Sequence, residues 1–188
     1  MSWSLVEAQT LAVKAARGAG YSWGLAEEAG YALRWLAARG LPGPAALAGL
    51  LEGGCAQSGP CPQCPLARGA AIADLGEVPD TLVAVRYPVL LAPFAARLAG
   101  GVRLQWSGAE ITVMDNGVHS TGDLLSPEAK VAFGPAGASG ASAGRMARIP
   151  DADAPSIEIL LRFAARIYAP ASEASRLSGA GAGTTDND

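Results

Sequence analysis

Residues 101–117, GVRLQWSGAEITVMDNG, decide between an all-helical chain and a mixed one. Val102, Leu104 and Trp106 alternate with Arg103 and Gln105, the period-two pattern of a strand with one buried face. Ser107-Gly108 is a turn signal. Ile111 and Val113 then resume the alternation, so the stretch predicts an antiparallel hairpin. Asp115-Asn116-Gly117 marks a second turn. Upstream, TLVAVRYP (81–88) has the β-branched and aromatic content of a strand. Downstream, VAFGP (131–135) and GRMARIP (144–150) read as edge strands around a Gly/Ala/Ser loop at 134–144.

Helical periodicity lies on either side of this β region. In residues 2–20, Leu5, Ala8, Leu11, Ala12 and Ala15 form an apolar stripe. Ser4 and Glu7 have capping-box spacing, and Gly18 and Gly20 stop the helix. A second helix starts near Gly24, buries Leu25, Ala29, Ala32, Leu33 and Leu36, and ends at Gly40 and Pro42. Glu27 and Glu28 are read into its first turn, where negative charge meets the positive dipole end. A third helix runs from Pro44 to Glu52, and 66–78 holds a short fourth. PVLLAPFAARLAGG (88–101) has the spacing of another, weakened by Pro93. A closing helix at 155–168 turns Ile157, Leu160, Leu161, Ala164, Ile167 and Tyr168 to one face and Glu158, Arg162 and Arg166 to another. Helices at both ends of the chain around a small, mostly antiparallel central sheet define an α+β fold. The expected organisation is one domain at 1–170, comprising a helical region (1–52), a cysteine loop (53–65), a mixed β region (80–150) and the closing helix (155–168). A mobile Gly/Ala/acidic tail at 171–188 completes it.

Composition narrows the function classes. Half of the 188 residues are apolar but only 6% aromatic, so each of Trp3, Trp23, Trp35 and Trp106 is a candidate anchor. The net charge is −3, and lysine and arginine form no cluster, which argues against a nucleic-acid partner. No apolar run has the length of a membrane span, and the first residues lack the pattern of a signal peptide. The expected location is therefore the cytoplasm, with all three cysteines reduced.

Candidate chemistry is sparse. Residues 17–30, RGAGYSWGLAEEAG, place Arg17, Tyr21, Trp23, Glu27 and Glu28 where backbone, ring and carboxylate groups could converge on a ligand. Glycines 18, 20 and 24 would admit that ligand close to the backbone. Glu27 and Tyr31 lie four apart with Arg34 near the same line, a second arrangement for one pocket or a plain surface ladder. Cys55, Cys61 and Cys64 form C-x5-C-x2-C, which suits a metal, a redox pair or unligated loop thiols. The set is one ligand short of a structural zinc site, so the chain is expected to fold without stoichiometric metal. Gly140-Ala141-Ser142-Ala143-Gly144 matches a nucleophile elbow, but no histidine follows it, as the hydrolase order requires. His119, the only histidine, stands near Asp115 as a weak acid–base candidate. In the tail, Arg176, Gly179, Gly181, Gly183, Asp186 and Asp188 offer a bare backbone and charges to a protein partner.

Two stretches carry a resemblance. RGAGYSWGLAEEAG with RWLAARGLP (34–42), together with YAPASEASRLSGAGAGTTDND (168–188), resembles a bacterial domain-of-unknown-function family (DUF3726-like). The resemblance implies a cytoplasmic bacterial protein encoded among metabolic genes, and it implies no activity or cofactor. Three readings follow: a non-catalytic accessory protein of a metabolic pathway, a small-molecule enzyme with carboxylate acid–base chemistry at the Arg17–Glu28 motif, and a metal- or redox-dependent module of Cys55, Cys61 and Cys64.

Overall fold

The computed structural model describes residues 3–56, 61–115, 117–137 and 146–168. Helix α1 (Leu5–Ala19) starts from the expected capping box. Ser4 Oγ accepts the Glu7 amide, and the Glu7 carboxylate accepts from the Ser4 backbone N–H. Gly20, at φ 104°, ends it in the left-handed geometry that glycine tolerates. Helix α2 (Trp23–Ala37) is capped by Ser22, whose hydroxyl accepts the Leu25 amide. Its first turn therefore falls at Trp23–Ala26 and contains no acid. Glu27 and Glu28 sit a turn deeper than expected, where the end dipole has little hold on them. Helices α3 (Gly43–Glu52) and α4 (Pro65–Leu75) each carry proline in the first turn, where its missing N–H costs nothing.

After β1 (Thr81–Arg86), the 3-10 turn Pro88–Leu91 runs into the single-turn helix α5 (Ala92–Ala95). Pro93 occupies an early position there, so it permits the turn that it seemed to oppose. The predicted hairpin is present as β2 (Val102–Trp106) and β3 (Ala109–Met114), with Leu104 opposite Ile111. β4 (Gly117–Gly122) follows the second turn, a strand that the sequence did not signal. β5 (Glu128–Pro135) completes an antiparallel sheet of order β1-β5-β2-β3-β4. VAFGP thus lies inside the sheet, between β1 and β2, and not at an edge. The described residues of GRMARIP make an isolated bridge, Arg148 with Ser4, and no strand.

The closing helix α6 (Ala154–Ala164) tightens into a 3-10 turn at Ala165–Ile167. It buries Ile157, Leu160, Phe163 and Ala164 against α1 and α3. Phe163, not Leu161, Ile167 or Tyr168, completes the apolar face; those three are exposed. Arg162 on the outer face pairs with Glu52 of α3 at 3.1 Å. Helix α2 is buried almost all round: α1, α3, α4 and α5 all pack on it, and Ala26, Ala29, Ala32 and Leu33 have no exposure. The abundance of alanine is what allows so close an assembly. Trp35 and Trp106 are buried anchors, whereas Trp23 is 66% exposed and anchors nothing in the core.

Candidate functional site

The end of α1, the start of α2, the cysteine loop and the end of α6 meet around one cavity of about 710 Å³. Arg17, Gly18, Gly20, Trp23, Ala56 and Arg166 line it. Arg17 donates to the Tyr21 carbonyl, and its guanidinium stacks on the Trp23 ring, 4.6 Å from the centroid. Arg166 lies over the Phe163 ring at 4.2 Å. Two guanidinium groups are thus each held against an aromatic face by their own chain. Among the described residues neither is paired with a carboxylate, and no carboxylate lines the cavity. The exposed indole, which the core does not use, forms its outer wall.

A second cavity, of about 380 Å³, lies alongside and shares Gly20 and Ala56 with the first. Tyr21, Ser22, Leu25, Cys55, Cys61 and Cys64 line it. Cys55 and Cys61 are joined by a disulfide, with Cα atoms 5.6 Å apart. The expectation of three reduced thiols is overturned for these two residues. Cys64 immediately precedes helix α4, is not in the disulfide, and its side chain is buried toward Tyr21. The Tyr21 hydroxyl stands 3.7 Å from Cys64 Sγ. Burial, and then the neighbouring Cys64, pushes the Tyr21 pKa up, so the group remains a phenol. With Cys55 and Cys61 bonded, the candidate metal set of Cys55, Cys61 and Cys64 is not presented as three thiolates.

The opening motif is therefore split. Arg17 and Trp23 share the first cavity, and Tyr21 belongs to the second. Glu27 points outward and is exposed. Glu28 turns to the α5 side and accepts two hydrogen bonds from Arg97, at 2.6 and 3.1 Å. Arg97 in turn lies over the Tyr31 ring. Tyr31 donates to the Pro93 carbonyl at 3.1 Å and Arg34 donates to Gln9; these two side chains share a cavity of about 390 Å³, whose described lining does not include Glu27. Glu28→Gln removes one partly exposed ion pair. It should cost about 1 kcal/mol or less, read as a small drop in the urea midpoint with an unchanged slope. His119 sits on β4 opposite Thr112 of β3. The Gly140–Gly144 tract and the tail residues Arg176, Gly179, Gly181, Gly183, Asp186 and Asp188 lie outside the described residues.

Arg166, Arg97 and Arg86 carry no site signal in the sequence. Arg86 donates its guanidinium to the Gly53 carbonyl at 2.6 Å and its amide to the Gln63 carbonyl at 3.0 Å, and so clamps both ends of the cysteine loop. Arg166 stands out only as one of several charges on the outer face of α6.

The fold and these cavities define an α+β protein with an arginine-lined cleft beside a disulfide-closed loop. Residues 3–84 match the family model described as "Protein of unknown function (DUF3726)". The match bears out the resemblance read from the first helices to a family of unknown function. It runs from α1 into β1, so it includes the cysteine segment and Arg17 but not Arg166. No curated protein and no solved structure matches the chain. No helix among the described residues is long and apolar enough to cross a membrane.

Proposed function

We propose that this is a non-catalytic accessory protein that recognises an acidic segment of a partner protein in the Arg17–Trp23–Arg166 cleft. One observation carries the reading: two guanidinium groups, each braced on an aromatic ring, face one open cavity, and the described residues that line it include no carboxylate. Guanidinium forks suit carboxylates because they offer paired donors in fixed geometry. Holding them in place before binding lowers the ordering cost of association. Glycines 18 and 20 add bare backbone to the same wall. The acid–base enzyme reading has less support, because Glu28 is engaged with Arg97 and Glu27 faces solvent.

The test is a titration of the full chain with a Gly/Asp peptide, a Gly/Lys peptide of equal length and inorganic phosphate. Quenching of tryptophan emission reports binding, with Trp23→Phe as the control for origin. Saturable, salt-sensitive binding of the acidic peptide alone is expected. Equal binding of phosphate would make the cleft a small-anion site, and no binding would remove the reading. A chain lacking residues 178–188 should melt within a degree or so of the intact protein, since the tail's proposed contacts are with the partner. Melting several degrees lower would make the tail an internal clasp and a competitor for the cleft. Repulsion between the α2 carboxylates and Asp186 and Asp188 would favour the partner. The pairing of Glu28 with Arg97 weakens that repulsion, which makes the truncation a necessary arm of the test.

A further inference from the structure

The second cavity gathers all three cysteines of the chain along one open volume. Their exposures differ: Cys55 and Cys64 are 3% and 2% exposed, and Cys61 is partly exposed. Cys61 is also the shared neighbour, bonded to Cys55 and held to Cys64 by a turn in which the Cys64 amide donates to the Cys61 carbonyl at 3.0 Å. We propose that this cavity is a thiol–disulfide exchange site, in which a low-molecular-weight thiol attacks Cys61 and Cys64 is the resolving thiol.

The steps balance without an external oxidant. The incoming thiolate attacks Cys61 Sγ; a mixed disulfide forms, the Cys55–Cys61 bond breaks, and Cys55 leaves as a thiolate that takes the proton lost by the incoming thiol. Cys64 then loses its proton and attacks Cys61 Sγ. A Cys61–Cys64 bond forms, and the small thiol departs with that proton. The net change is movement of one disulfide from Cys55–Cys61 to Cys61–Cys64, with the small thiol regenerated. C-x2-C spacing is one that closes readily as a disulfide in redox proteins.

Three neighbours fit these roles. The Tyr21 hydroxyl, 3.7 Å from Cys64 Sγ and kept protonated by burial, can donate to that sulfur as it becomes a thiolate. Gln63 Oε1 lies 3.6 Å from Cys61 Sγ, beside the sulfur that is attacked in both steps. The Arg86 clamp on Gly53 and Gln63 keeps both sides of the loop in register when the Cys55–Cys61 bond opens. The volume of about 380 Å³ lies within the range of small-molecule pockets. None of these roles depends on the arginine cleft or its occupant.

The experiment treats the folded full chain with substoichiometric glutathione at neutral pH. Acid quenching and alkylation follow, and the disulfides are mapped by mass spectrometry. The native protein should show both Cys55–Cys61 and Cys61–Cys64, with little bound glutathione. Cys64→Ser should accumulate glutathione on Cys61 at least fivefold over the native protein. Tyr21→Phe, which leaves every sulfur in place, should form Cys61–Cys64 several-fold more slowly. It keeps the proposal testable if Cys64→Ser does not fold, as its melting curve will show. The proposal is overturned if the folded protein keeps Cys55–Cys61 unexchanged, or if the native protein holds glutathione on Cys61 without forming Cys61–Cys64. Capture of glutathione on Cys55, or a Tyr21→Phe rate equal to native, would overturn it as well.

Discussion

Gly18→Ala should lower the melting temperature by about 2–12 °C, while Gly24→Ala should leave it unchanged or raise it slightly. Propensity alone predicts a gain at both positions, because alanine is favoured over glycine in a helix by up to about 1 kcal/mol. Packing reverses the sign at Gly18. A Cβ there would lie 1.9 Å from the carbonyl oxygen of Phe163, where α6 crosses the last turn of α1. That atom is backbone, so no rotamer change relieves the clash, and the helices must move apart. Overpacking of this kind costs roughly 1–3 kcal/mol, at about 2–4 °C per kcal/mol for a chain of this size. Gly24 lies in the exposed first turn of α2 with nothing within 4 Å of an added Cβ. Calorimetry of the two variants side by side decides the matter, and a stabilised Gly18→Ala would refute the crossing geometry. The clash should also reach the cleft, because Arg166 and Ile167 line it just beyond Phe163.

The same glycine shows what sequence could and could not disclose. Gly18, Gly20 and Gly24 look alike in the opening motif, as bare backbone for a ligand. Gly18 and Gly20 do line the cleft, but Gly20 also serves a left-handed helix end and Gly18 a helix crossing, while Gly24 does neither. Local rules recovered what local interactions determine: the Ser4–Glu7 capping box, the β2–β3 hairpin and the helix limits set by Gly20 and Pro42. They missed what depends on distant contacts. β5 has the composition of an edge strand but joins β1 to β2, because strand order is decided by long-range pairing. Spacing left the three cysteines open to a metal, a redox pair or unligated thiols, and nothing local singled out the Cys55–Cys61 bond. Half of the cleft's charge comes from Arg166, far along the chain from Arg17, so no window of sequence contains the site.

Charge reversal at that pair should have the largest effect on recognition. Arg17→Glu combined with Arg166→Glu should weaken binding of the Gly/Asp peptide by about 100-fold or more, from roughly 1–2 kcal/mol of lost attraction at each site and added repulsion. Neither change should unfold the protein. Arg17 is half-buried and braces only the exposed Trp23 and the Tyr21 carbonyl, and Arg166 is exposed. Arg17→Lys separates charge from shape: it keeps the cation but gives up the planar stack on Trp23 and the paired donors. An intermediate loss, about 5–10-fold, is expected there, because stacking at an exposed site contributes about 0.5–1 kcal/mol and the fork somewhat more. The dependence of binding on salt should fall in the single Arg→Glu variants and change sign in the double variant, since salt then screens a repulsion. If the double variant binds the acidic peptide as the native protein does, the two arginines only cover their aromatic rings. The cleft would then be a by-product of how α1, α2 and α6 meet, and the recognition surface would have to be sought elsewhere on the chain.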